Sequence, residues 1–158
     1  MKKGIENIVP IIFFLLSFCG ITLAITIGVS GNWSKTIDSS DLQSGAGSDL
    51  NDTYTSSTDT VTVDISGTVG DWQLDVKKID SNWDAGLVLY VKRTTDGTGF
   101  GSISQGTTYQ QVTDIDQNFF NGTDDRSNIK VQLQLTGVSI QIQPDIYTTA
   151  VYYTVSDI

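Results

Sequence analysis

From Thr60 to Val155 apolar side chains recur at every second position, the signature of strands with one buried face. Val61, Val63 and Ile65 alternate with Thr60, Thr62 and Asp64, and Trp72, Leu74 and Val76 with Gln73, Asp75 and Lys77. Leu87, Leu89 and Val91 continue the pattern, followed by Ile129, Val131, Leu133 and Leu135. Beyond Gly137 it resumes with Val138, Ile140 and Ile142, and it ends in a β-branched and aromatic run from Ala150 to Val155. Thr and Val, which suit a pleated, half-buried surface, dominate these runs. The spacing predicts an all-β fold: an antiparallel β-sandwich of immunoglobulin-like or jelly-roll kind, with a barrel as the alternative.

Local signals fill in the ends of these strands. Pro144-Asp145-Ile146-Tyr147 has the form of a tyrosine corner, in which a Tyr hydroxyl ties a turn to nearby backbone; a plain half-buried turn aromatic is the other reading. Trp72 and Trp83 read as core or core-edge residues. Residues 96–106 hold four glycines and read as an exposed loop with Phe100 at its tip. Residues 38–58 are mostly Ser, Asp, Gly and Thr, and read as a long mobile loop or linker.

The N-terminus is different in kind. Lys2 and Lys3 precede 22 uncharged residues, Ile8 to Val29, dense in Ile, Leu and Phe as far as Leu23. A positive start, an apolar core and small residues at Thr22-Leu23-Ala24 describe an export signal cut after Ala24. The run is also long enough for a retained anchor helix, which would be the chain's one attachment to a membrane. A lipoprotein site at Cys19 is disfavoured by Phe18, and a type IV pilin leader by the early Glu6 and by Pro10 and Gly20. The division expected is therefore 1–24 signal or anchor, 25–58 N-terminal strand and flexible linker, and 59–158 sandwich, with the body extracellular or on the cell surface.

Composition then narrows the chemistry. The chain has 158 residues and a net charge of -9, and beyond residue 24 it contains no His, Cys, Glu or Met. Nucleophiles served by His, Glu acid–base pairs and His or Cys metal sites are thus ruled out there. Seven dispersed cations in the same span give no patch for nucleic-acid phosphates. Only Asp remains. Asp114, Asp116, Asn118 and Asp125 follow the opening spacing of a calcium loop, although Phe119 stands where an EF-hand needs Gly; a looser oxygen cage for Ca2+ is the metal reading, and a solvated acidic loop the plain one. Asp80, Asn82 and Asp84 form a weaker set. Pairs of Asp for glycoside hydrolysis arise by chance among so many acids, and no catalysis is expected. Trp83, Phe100 or Phe119-Phe120 could present a flat ring to a glycan. Asn32, Asn51 and Asn121 each begin an N-glycosylation tripeptide.

An exported acidic sandwich, preceded by a strand-like segment and a polar stretch, resembles in layout the secreted fibre and pilus subunits of the TasA-like and archaeal bundling-pilus groups. The resemblance implies a structural surface or filament protein in which the N-terminal strand of one copy completes the sheet of the next. Here that donor strand would be Ile25, Ile27 and Val29 with their polar or small neighbours. The rival is a monomeric extracellular module that binds carbohydrate or cell-wall polymer.

Overall fold

The computed structural model describes residues 24–158. The segment expected to be a leader or anchor, with Lys2, Lys3 and Cys19, lies outside the described residues. The fold is two antiparallel sheets packed face to face. The first sheet runs β1 (Thr26–Gly31), β3 (Val61–Ser66), β10 (Arg126–Thr136), β5 (Val88–Arg93) and β8 (Gln110–Gln111), with β2 (Tyr54–Thr55) and β6 (Thr98–Gly99) also paired to β10. The second runs β11 (Thr148–Asp157), β4 (Asp71–Asn82), β9 (Gln117–Thr123) and β7 (Ile103–Ser104).

Alternation decides what each strand contributes. Val61, Val63 and Ile65 of β3 meet Trp72, Leu74 and Val76 of β4 across the interior, with Leu89, Val91, Ile129, Val131 and Leu133 beside them. Their neighbours in sequence lie on the outer faces, as a half-buried sheet requires, and of these Gln132 is covered in turn, its Nε2 donating to Ser56 O at 2.8 Å. At the centre sits Trp72, fully buried, its Nε1–H donating to the Asp124 carbonyl at 2.9 Å. The Phe120 ring meets it edge-on, 6.1 Å between centroids.

Three sequence expectations are corrected. Residues 117–123 belong to no acidic loop but to β9, whose Phe119 and Phe120 are both buried. Adjacent residues point inward together because Leu74 pairs with Phe120 while Asp75 pairs with Asn118, leaving Phe119 as an extra residue in a bulge. Residues 138–143 form no strand. After the left-handed turn at Gly137 (φ 81°) Val138 is buried but Ile140 is 54 % exposed, and the Ile140 N–H is satisfied by the Asp49 carboxylate at 2.9 Å. Finally, the polar stretch 38–58 is fastened to the body. Asp38 caps a single 3-10 turn at Ser39–Asp41, Leu42 bridges Leu50, and the Ser56 N–H and hydroxyl are hydrogen-bonded to Leu133 backbone, each at 2.9 Å.

Candidate functional site

The segment expected to act as donor is an edge strand of its own sheet. β1 pairs along its length with β3, from Thr26 opposite Ser66 to Gly31 opposite Val61, and with no other described strand. Ile25 and Ile27 are partly buried against the core, whereas Val29 is 46 % exposed. The Thr26 and Ser66 hydroxyls share a hydrogen bond at 2.9 Å. Half-burial of two isoleucines contributes roughly 1 to 1.5 kcal/mol each, and each ladder hydrogen bond about 0.5 to 1.5. Ordering the backbone costs about 1 to 2 kcal/mol per residue. These terms nearly cancel, so β1 is held far less firmly than β3 or β10.

What joins β1 to the body is short. Gly31 ends the strand with φ 126°, where an added Cβ would lie 2.1 Å from the Thr60 carbonyl oxygen. Chain anchorage begins again at Trp33, partly buried against the core, and at Lys35. The Lys35 ammonium pairs with Asp41 at 2.8 Å and lies 4.7 Å from the Tyr54 ring centroid. Asp41 also accepts the Asp38 N–H at 3.0 Å. The free stretch is thus a few residues near Asn32, not the 20-residue tether the composition suggests.

The Lys35 hydrogen bond, then the Asp38 N–H, hold the Asp41 carboxyl below its ordinary 3.8. A carboxylate depressed in this way stabilises the fold above its unfolded pKa, and the contribution is lost as pH falls through the lower folded value. Amide protection factors in 35–54, which remove the intrinsic pH dependence of exchange, are therefore expected to hold from pH 7 to 5 and to fall below about pH 4. Asp41→Asn should show faster exchange already at pH 7 and a flatter pH dependence; an acid response identical in the two proteins would contradict the latch.

The remaining candidates are scattered. Asp116 pairs with Lys77 at 2.7 Å, and Asn118 Nδ2 donates to Asn121 at 2.8 Å on the outer face of β9. Asp125 lies past the far end of that strand, accepting the Thr68 N–H at 3.0 Å, while Asp114 precedes its start. The four proposed calcium ligands are therefore spread along the whole of β9. Among the described residues no group of three or more acidic side chains is placed to hold a metal ion. Asp80 pairs with Lys78, Asn82 donates to Ile146 O at 2.9 Å, and Asp84 accepts the Gly86 N–H at 2.8 Å, three separate tasks.

Of the aromatic candidates, Phe119 and Phe120 are core, and Trp83 is half-buried with its N–H on the Leu87 carbonyl at 2.8 Å. Phe100 stands 89 % exposed beside a groove of about 510 Å³ lined also by Thr68, Thr98, Asp124, Asp125 and Ser127. Asn32 and Asn51 are exposed, but Asn121 sits within β9, paired to Gln73 and Ser104. Asn121 is thus a strand residue, unlike Asn32 and Asn51, and the β9 bulge hides that strand from the alternation of the sequence.

Sequence reasoning missed that one flank of β11 has no partner strand among the described residues and that β11 lies close to β1. Its β-branched run was legible; its position at an edge was not. Compared with protein-family models, curated proteins and solved structures, the chain matches none.

Proposed function

We propose that the chain is a non-catalytic structural protein, secreted or held at the cell surface, whose copies assemble into fibres by exchanging β1. One observation carries the reading: β1 is a weakly held edge strand, paired to β3 alone and joined to an anchored body by a short stretch. If it leaves, β3 presents unpaired N–H and C=O groups that an identical strand can satisfy. Such exchange is head-to-tail and gives open fibres instead of closed dimers. Within the sandwich, the Tyr147 hydroxyl donating to Gln143 O at 2.7 Å supports the immunoglobulin-like over the jelly-roll variant. The exposed Asn32 and Asn51 suit glycosylation of a surface protein.

The test is electron microscopy of the full chain and of a variant lacking 25–31. Fibres are expected from the first, none from the second, and the variant is expected to bind the peptide ITIGVSG in trans. A full chain that stays monomeric at high concentration would overturn the reading.

A second reading has its own observation, the exposed Phe100 ring over the groove. There the chain would bind a surface glycan as a monomer, the ring stacking on a sugar face and Asp124 and Asp125 accepting from its hydroxyls. Glycan-array signal from monomeric protein, abolished by Phe100→Ala, would support it; an unchanged signal in that variant would remove it.

A further inference from the structure

We infer that the groove beside Phe100 takes a sugar bearing a free amine, its ammonium set between the Phe100 ring and the carboxylates of Asp124 and Asp125. This rests on the glycan reading above and narrows the ligand to one class. Strand register brings the parts of the groove to one end of the sandwich: Thr26 lies opposite Ser66, Asp71 opposite Thr123, Gly99 opposite Arg126 and Asp157 opposite Trp72. The turns there are tied together. Thr68 N–H donates to Asp125 at 3.0 Å and Asp124 N–H to Gly70 O at 3.2 Å. Gly99 and Gly101 lay their loop flat on the 123–125 turn, since an added Cβ would stand 2.2 Å from Asp125 O at the first and 2.2 Å from Thr123 Oγ1 at the second. Phe100, between the two, stands exposed on the groove.

Charge selects a cationic ligand. The segments that form this end, 24–26, 66–71, 98–103, 122–127 and 156–158, carry Asp71, Asp124, Asp125 and Asp157 and a single cation, Arg126, which is only 7 % exposed. The other cations of the described residues are committed elsewhere. Lys35, Lys77, Lys78 and Arg93 pair with Asp41, Asp116, Asp80 and Asp96, while Lys92 lies over the Tyr109 ring and Lys130 donates to Thr62. The field at this end is therefore negative and draws cations. An ammonium there donates charge-assisted hydrogen bonds to the carboxylates and meets the face of the exposed ring.

The rest of the groove calls for hydroxyls. Thr68 Oγ1 on its wall and the Nε of Arg126 are buried without a hydrogen-bond partner among the described residues. Arg126 reaches the groove through Gly99, to whose carbonyl its Nη1 donates at 3.0 Å. A hydroxyl both donates and accepts, so a sugar ring can answer Thr68 and Arg126 while its amine goes to the carboxylates. The lysine of a basic peptide would bring a stem of methylenes against walls whose one large apolar side chain is Phe100.

The experiment is calorimetry of the full chain with a glucosamine tetramer, the same tetramer N-acetylated, and tetralysine. The free-amine sugar is expected to bind about tenfold or more tighter than the acetylated one, the worth of a hydrogen bond to a charged group. Asp124→Asn with Asp125→Asn keeps the shape of both side chains, and Asn tolerates the left-handed backbone at position 124 (φ 56°). That variant is expected to bind the two sugars alike, and Phe100→Ala to weaken both. Asp59→Asn with Asp114→Asn, exposed acids outside the groove, is expected to change nothing. Equal binding of the two sugars by the parent overturns the amine assignment and leaves the glycan reading standing; binding of neither overturns both. Tetralysine bound as tightly as the glucosamine tetramer makes a basic peptide the occupant, and equal losses in the two Asn variants signal general attraction to an acidic chain; either result overturns the proposal. Should the groove Asn variant fail to fold, Phe100→Ala still decides, since glucosamine binding unchanged in it removes the site.

Discussion

Gly122→Ala is expected to destabilise the fold by about 3 kcal/mol or more, the upper range for overpacking a core. A Cβ there would lie 2.3 Å from Trp72 Cζ2 and 2.6 Å from Cη2, inside the ring's van der Waals surface. Neither side can retreat. Gly122 is paired to Trp72 on one flank and Ile103 on the other, while the indole is pinned by its bond to Asp124 O and by the Phe120 edge. Only a residue without a side chain lets the indole lie over the neighbouring strand. The clash is specific to this pair, so Trp72→Leu should cost about 2 to 4 kcal/mol alone through the cavity it leaves. The double variant should cost less than the sum by about 1 kcal/mol or more, the range for residues in contact. Urea unfolding measures all three; additive losses, or a Gly122→Ala protein within about 1 kcal/mol of the parent, would contradict this packing.

Arg93→Met is expected to cost about 2 to 4 kcal/mol, mostly from its hydrogen bonds to a carbonyl, since bonds from charged donors are worth about 1.5 to 3 each. Arg93 is 4 % exposed, and its Nε and Nη2 both donate to Gln105 O, at 3.0 and 2.8 Å. Gln105 and Gly106 stand at φ 68° and 71°, a left-handed corner that returns the Phe100 loop to the body. The guanidinium carbon also lies 5.7 Å from the Phe120 ring centroid. Asp96, its ionic partner, is 64 % exposed, so that pair adds little. Arg93→Lys should fail to rescue, because one ammonium cannot reproduce the fork. Amide exchange should accelerate in 94–106 in both variants; a lysine variant as stable as the parent would show that charge alone suffices.

The parts of this fold that the sequence displayed are those where one strand residue in two meets the core. Val61–Ile65, Trp72–Val76 and Ile129–Leu135 could be read because their partners are regular. β9 could not: its bulge puts Phe119 beside Phe120, which breaks the period, and the acids around it imitate a binding loop. Val138–Ile142 erred the other way, since it has the alternation but its backbone is satisfied by Asp49, 91 residues from Ile140 in sequence. The stretch 38–58 reads as linker by composition, yet its carboxylates are what fasten it: Asp41 to Lys35, Asp49 to Ile140 and Asp52 to Gly137. Long-range side-chain-to-backbone bonds leave no periodic trace. The donor segment shows the same division, for Ile25, Ile27 and Val29 announce a strand and say nothing of which sheet receives it.

That question has a direct answer in chemistry. Thr26 and Ser66 face each other across the β1–β3 seam, their hydroxyls 2.9 Å apart. With Cys19→Ser, the pair Thr26→Cys and Ser66→Cys can be oxidised after assembly and run on a non-reducing denaturing gel. Strand exchange predicts a ladder of covalent multimers, each rung one chain longer, which collapses to a single band on reduction. Assembled protein that yields only a monomer-sized band with its cysteines joined within one chain would contradict exchange and leave β1 a strand of its own domain.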